Sequence, residues 1–353
     1  MPFEEAVDGT FLWSWPTKSF IQKLSINMKI YLKNNTEFCS GIRLRLIALV
    51  YAIMTVMGVR ALEQVVFAPQ WHAQAQFAGY FVAKEMGFYK AEGLDVKFLF
   101  PTSSISSDVF LDKGKCQFST MHLADVVKSV SEGKHFVNIL QTSMRNGMML
   151  VGRNGMNPMK MKGKRVGIWK AAFSNLVKIM NKKEGLNYDF VQFTDNVSLF
   201  LSGTIDATLA MSYNEYYQLM QSNVMLNDKS VVRFSDRGYD IPEEGVYVTL
   251  DYYRKNKATA EKFARASKRG WLWCHEHPEK ALDIVMKYVD SYNIITNSTL
   301  QRLMLKEILR LQKDKKTGKP LFVLRREDVD KVSKLMLECK IIDKPVKYED
   351  IVK

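Results

Sequence analysis

Short apolar runs alternate along this chain with stretches of helical spacing, and the alternation is clearest over residues 65–100. Val65, Val66 and Phe67 form an apolar run. Pro69 opens a loop rich in Trp, His and Gln, after which helical spacing carries Phe77, Tyr80, Phe81 and Lys84 over successive turns. Gly87 and Gly93 punctuate the exit, and residues 94–100 read as the next strand. Two strands joined by a helix of this length predict a right-handed βαβ unit with a parallel sheet. Ligands of such sheets sit beyond the carboxyl ends of the strands, which puts residues 71–77 at a candidate cleft.

The same alternation continues. A Ser/Thr-capped helix is expected after Pro101, then strands over 116–121 and 136–142 around a helix over 123–130 that Gly133 closes. Residues 148–151 read as a crossing strand and 152–158 as a turn cluster. From Lys164 the pattern restarts, with strands over 165–169, 189–193, 207–210 and 231–234 and helices over 174–183, 197–202 and 214–221. Residues 245–250, GVYVTL, carry the chain back. Helices over 261–275, 278–288, 299–312 and 326–339 complete it, with Pro278 at a helix start, where its fixed φ and missing donor fit. The expectation is a clamshell of two α/β lobes, residues 62–149 with 245–353 and residues 150–244, holding a ligand between them.

Composition adds constraints. The 353 residues are 47% hydrophobic and 25% charged, ordinary for a globular chain with a real core. Residues 46–59, LIALVYAIMTVMGV, form an uncharged run preceded by Arg43 and Arg45, too short for a membrane span of about 20 residues. The run ends on Val59-Arg60-Ala61, the small-residue spacing of a signal peptide cut after Ala61, so residues 1–61 read as a leader and export as the consequence. An uncleaved anchor is the alternative, and Met28 would begin a more usual leader, MKIYLKNN. The formal net charge is +14, but the basic residues are scattered or in short clusters without interleaved aromatics, so nucleic acid is not an expected partner. Past the leader lie Cys116, Cys274 and Cys339, an odd number without a CxxC pair. That argues against a disulfide scaffold and a structural zinc. His275 and His277 stand two apart on an expected helix and face away from each other, so no metal site is expected.

Several loops carry ligand-binding chemistry. Trp71, Phe77 and Tyr80 offer π faces, and Gln74 and Gln76 offer paired donors and acceptors, the combination a flat heteroaromatic needs. Phe77 and Tyr80 also fit simple packing of their helix on the sheet. Thr102, Ser103 and Ser104 precede a helix and suit an anion or an ordinary N-cap. Trp169, Lys170, Ser174 and Asn175 form an opposing strand-to-helix loop, where Lys170 can pair a carboxylate, sulfonate or phosphate or point to solvent.

The stretch FAPQWHAQAQFAGYFVAKEMGFYKAEGLDVKFLFP resembles the first motif of the periplasmic substrate-binding proteins of ABC transporters, in the branch that also holds the pyrimidine synthases of fungal thiamine biosynthesis. Matching residues are Trp71, Ala73, Gln74, Gln76, 77–85, 87–89 and 93–96. MKGKRVGI at 161–168, GTIDATLAMSYNE at 203–215 and FARASKRGWLWCHEHPEKA at 263–281 are similar to further family segments. The resemblance implies a type II periplasmic-binding-protein clamshell, each lobe a mainly parallel sheet flanked by helices. It also implies cleft positions for the turn carrying Met121 and His122 and for the pair Asn214 and Glu215, although His122 equally fits a backbone contact and Asn214 a helix cap. The synthases use a lysine that carries pyridoxal phosphate, a nearby histidine and a cysteine-rich loop. Here those positions fall on Met121, Asp125 and the cysteine-free GYDIPEEGV, and a Schiff base needs an amine. No catalytic residue and no cofactor are therefore expected. The expected role is a monomeric solute-binding protein that presents a vitamin-like molecule to an ABC permease, with a synthase-like enzyme or a ligand sensor as the alternatives. Phe77 stands where the thiamine branch usually has His, which weakens the case for a pyrimidine.

Overall fold

A computed structural model describes residues 61–101, 107–169, 173–193 and 197–353 of the chain. The expected leader with its cleavage pattern, the Thr102-Ser103-Ser104 cap and Lys170 lie outside the described residues. Among the described residues no helix is long and apolar enough to cross a membrane.

Among the described residues ten strands form two sheets. The first contains β1 (Glu63–Ala68), β2 (Leu94–Phe98), β3 (Phe118–His122), β4 (Phe136–Gln141) and β10 (Glu244–Thr249), in the order β2-β1-β3-β10-β4. The second contains β5 (Met148–Gly152), β6 (Arg165–Trp169), β7 (Asp189–Phe193), β8 (Ala207–Met211) and β9 (Val231–Arg233), in the order β7-β6-β8-β5-β9. In each sheet a single strand runs against the rest: β10 is antiparallel to β3 and β4, and β5 to β8 and β9. Both are the strands by which the chain enters from the other lobe. The sheets are thus mainly parallel, as the βαβ periodicity predicts. The stretches between sheets are 142–147 and 234–243; residues 149 and 245, the boundaries read from sequence, are each the second residue of the strand that follows.

The longer helices are α1 (Ala78–Glu85), α2 (Leu123–Ser131), α3 (Asn175–Lys183), α4 (Glu215–Gln221), α5 (Lys257–Glu276), α6 (Pro278–Ser291), α7 (Ser298–Leu311) and α8 (Arg326–Glu338). The apolar stripe of α1 is buried from Ala78 to Ala83. Its ring contacts include Phe67–Tyr80 at 4.6 Å and a parallel stack of Phe81 on Tyr288 at 4.3 Å. Gly79 lets α1 approach α5: a Cβ there would fall 2.2 Å from Cδ2 of the fully buried Trp271. Across the sheet Phe118 stacks on Phe263 at 4.0 Å.

The C-terminal helices touch both lobes. Gln301 of α7 caps the turn before α1, accepting from Ala75 N at 2.7 Å, and Glu307 accepts from Ser212 of the second lobe at 2.6 Å. At the end of α8, Lys182 of α3 donates to the Cys339 carbonyl at 2.8 Å and Lys183 pairs with Glu338 at 2.7 Å. Cys116, Cys274 and Cys339 are free and buried.

Candidate ligand cleft

The carboxyl edges of both sheets face one another. The loop after β1 delivers Trp71, and the end of β6 delivers Trp169. Their rings meet edge to face across the lobes, with centroids 5.2 Å apart. Trp169 also abuts Phe193 at 4.7 Å, and its indole N–H is buried without a partner. Beside the pair lies a hollow, open to solvent, of about 330 Å³ counting that open space, lined by Gln70, Trp71, Gln74, Gln76, Trp169, Phe173, Met211, Tyr213, Asn214 and Glu215.

The floor is a polar relay. Gln74 Nε2 donates to Gln76 Oε1 at 2.7 Å, and Gln76 Nε2 donates to Glu244 Oε2 at 2.9 Å. Gln70 Nε2 donates to the same oxygen at 3.0 Å, while Gln70 N is held by Thr120 Oγ1 at 2.8 Å. Glu243, one residue earlier, accepts from Gly147 N at 2.8 Å, pinning one inter-lobe stretch against the other. Burial pushes Glu243 and Glu244 up to about 8, Glu243 further because Glu244 adjoins it.

On the second lobe Glu215 is pushed by burial up to about 7. Its carboxyl turns back on its own lobe, accepting from Met211 N at 2.8 Å and Asn214 Nδ2 at 2.9 Å. Asn214 occupies the N-cap position of α4 but makes no side-chain cap bond; its Oδ1 accepts from Gln218 at 2.8 Å instead.

A second hollow of about 230 Å³ adjoins the first through Phe173 and contains His122, Asp125, Met148, Asn175 and Glu243. The His122 ring lies 4.5 Å from that of Phe173; its Nε2 has no partner, and burial lowers it to about 3. Asp125 of α2 reaches across the lobes. It accepts from Phe173 N at 3.1 Å and from Asn175 Nδ2 at 2.6 Å, and burial raises it to about 6. Phe173 sits at φ 65, in the left-handed region, a conformation that costs a bulky residue free energy and needs support from its surroundings.

Of the residues singled out from sequence, Trp71, Gln74, Gln76, Trp169, Asn214 and Glu215 line one hollow and His122 lines its neighbour. Phe77 is fully buried in the core, and Met121 is buried opposite Gly245 in the sheet register; neither lines these two hollows. Tyr80 likewise packs against Phe67 and Trp271. His275 pairs with Gln312 Oε1 at 2.9 Å. Sequence reasoning missed Gln70, Asp125, Phe173, Tyr213, Glu243 and Glu244 as cleft groups. The adjacent acids Glu243 and Glu244 at the mouth of an apolar strand were the available signal.

Two mainly parallel sheets with facing carboxyl edges, crossed twice by the chain and meeting at an aromatic cleft, define the periplasmic-binding-protein class of fold. The chain belongs to the NMT1/THI5 like family, whose model matches residues 74–281. It is 24% identical over 245 residues to the formylaminopyrimidine-binding protein of Halalkalibacterium halodurans, covering 66% of this chain and 73% of that one. It is 22% identical over 260 residues to the riboflavin-binding protein RibY of Chloroflexus aurantiacus, covering 70% and 72%. Among solved structures it is similar to the periplasmic aliphatic sulphonate binding protein SsuA of Escherichia coli, with TM-score 0.58, 14% identity and coverage of 82% and 92%. It is also similar to the desulfurization enzyme DSZB, with TM-score 0.55, 12% identity and coverage of 82% and 96%. The fold therefore serves both binding and catalysis.

Proposed function

We propose that this chain is an exported solute-binding protein that closes its two lobes on a small, flat heteroaromatic molecule and presents it to an ABC permease. The observation that carries this reading is the Trp71–Trp169 pair, one ring from each lobe, beside a hollow of amides, a phenol and a carboxyl. Aromatic rings on one side and convergent polar groups on the other suit a substituted ring. A ligand that touches both lobes favours the closed state over the open one. Relatives named for a formylaminopyrimidine and for riboflavin support a ring of this kind. Export rests on the leader pattern ending at Ala61; mass spectrometry of the secreted form should give a mature chain beginning at Leu62.

A binding role without turnover fits Met121, which offers no amine where the related synthases hold their lysine. The deciding experiment is a thermal-shift screen of pyrimidines, flavins and sulfonates, since a ligand held only by the folded state raises its melting temperature. Calorimetry then follows on Trp71→Ala and Asn214→Ala. Loss of one buried contact should weaken binding roughly tenfold to a hundredfold. A hit whose affinity neither substitution changes would place the site elsewhere.

A further inference from the structure

Glu244 is the first residue of β10 and its side chain is buried, yet it makes no contact with solvent-exposed partners; its work is done on two amides. Oε2 accepts from both Gln70 Nε2 and Gln76 Nε2, at 3.0 and 2.9 Å. Oε1 meets Thr142 Oγ1 at 3.1 Å, and that hydroxyl also reaches the Glu244 backbone carbonyl at 3.1 Å. A glutamine amide has a donor end and an acceptor end. Each NH2 gives one N–H to Glu244, and Gln76 Nε2 also points toward the Tyr213 hydroxyl at 3.5 Å, so the amide nitrogens face Glu244 and the carbonyl ends face away from it. Gln76 Oε1 receives Gln74 Nε2, which in turn leaves the Gln74 carbonyl, while Gln70 Oε1 is buried with no partner. Gln70 and Gln74 both line the hollow beside the tryptophan pair.

We infer that Glu244 is a positioning residue that sets the hydrogen-bond polarity of the cleft, turning Gln70 and Gln74 so that they offer carbonyl acceptors to a heteroaromatic ligand bearing a ring N–H or an amino group. The ligand class rests on the reading of this cleft as a heteroaromatic site; the hold of Glu244 on the amides does not. Burial keeps the acid largely protonated at neutral pH, near 8, and this suits the arrangement. Oε2 already receives two N–H groups, so in the neutral acid the proton belongs on Oε1, whose neighbour is the Thr142 hydroxyl at 3.1 Å. Oε2 stays an acceptor whether the acid is neutral or charged. A glutamine at this position can copy the neutral acid, with its NH2 toward Thr142 and its oxygen toward the two amides. A methionine cannot.

The test uses the whole chain, 2-methyl-4-aminopyrimidine and the donor-free 2-methyl-4-methoxypyrimidine as paired probes, and the variants Glu244→Gln and Glu244→Met. Wild type and Glu244→Gln should prefer the amino probe by about tenfold or more, the usual effect of one mismatched buried hydrogen bond. Glu244→Met should lose the preference. A purely structural role would weaken both probes together and leave their ratio unchanged, and that result would overturn the proposal. A ligand-free arm uses nitrogen-15 glutamine labelling. In wild type the Gln70 and Gln76 side-chain NH2 protons, assigned by their loss in Gln70→Ala and Gln76→Ala, should exchange slowly with solvent, and in Glu244→Met quickly. Rapid exchange in wild type refutes the lock itself. Protected amides in a wild type that binds neither probe would instead overturn the heteroaromatic reading, and the ligand class with it, while leaving the lock in place.

Discussion

Replacing Asp125 with alanine should open the protein. Asp125 on α2 is the acceptor for two donors of the opposite lobe, Phe173 N at 3.1 Å and Asn175 Nδ2 at 2.6 Å. Hydrogen bonds to a carboxylate are each worth about 1.5–3 kcal/mol, and a buried donor left unpaired adds a desolvation penalty. Phe173 is also held at φ 65, which costs about 1–2 kcal/mol and is released when the loop lets go. Some of the lost bonding is recovered from water once the lobes part. A net bias of about 3 kcal/mol toward the open form is therefore expected, a change of roughly a hundredfold in the closed-to-open ratio. An almost wholly closed population would become a mixture of the two. Two measurements read this without a ligand. Solution scattering should show a larger radius of gyration for Asp125→Ala. Circular dichroism should lose the coupled-indole signal of Trp71 and Trp169, whose rings are 5.2 Å apart only while the lobes meet. Asp125→Asn, which keeps one carbonyl acceptor, should fall between. If the scattering and the indole signal of Asp125→Ala match wild type, the contact is local and the lobes are held by something else.

Gly79→Ala should lower the melting temperature, because its Cβ would fall 2.2 Å from Trp271 Cδ2 where carbon atoms prefer about 3.5–4 Å. Overpacking of about 1–3 kcal/mol outweighs the gain of about 1 kcal/mol from alanine in a helix, and an unchanged or higher melting temperature would contradict the close approach of α1 and α5. Stability should also fall as pH rises from about 6.5 to 8. Burial raises Glu215 to about 7 and Glu243 and Glu244 to about 8. In that window the folded chain holds protons that the unfolded chain has released, and each such group loses up to about 1.4 kcal/mol per pH unit, less as pH passes its own folded value. The buried histidines, His72 at about 4 and His122 at about 3, act in the opposite sense only below about 6.5. A melting temperature that climbs between pH 6.5 and 8 would mean these carboxyls are solvated. Incubation with pyridoxal phosphate and borohydride should leave the mass of the cleft peptides unchanged, since Met121 carries no amine; a reduced adduct there would revive the enzymatic alternative.

The local elements were readable because each depends on neighbours in sequence. Short apolar runs gave β1, β6 and β7, amphipathic spacing gave α1 and α5, and Gly87 and Gly93, at φ 71 and 80, stop the chain where only a residue without a Cβ turns freely. Trp71 and Trp169 could be named because loops at strand carboxyl ends face ligands in parallel sheets. What the sequence could not decide was the partner of each polar group and the burial of each aromatic. Phe77 and Trp71 look alike as π faces, yet packing of α1 on α5 sends one into the core and leaves the other at the cleft. Glu243 and Glu244 read as ordinary acids before a strand. Only the pairing of β10 between β3 and β4 brings Glu244 to Gln70 and Gln76, 174 and 168 residues away along the chain. Asp125 and Phe173 likewise meet only in the tertiary structure, 48 residues apart along the chain, and a single-sequence pattern carries no record of such distant contacts. Periodicity is a property of adjacent residues, and it fixed the elements; desolvation is a property of the assembled interior, and it made buried acids, amides and a strained phenylalanine into a cleft.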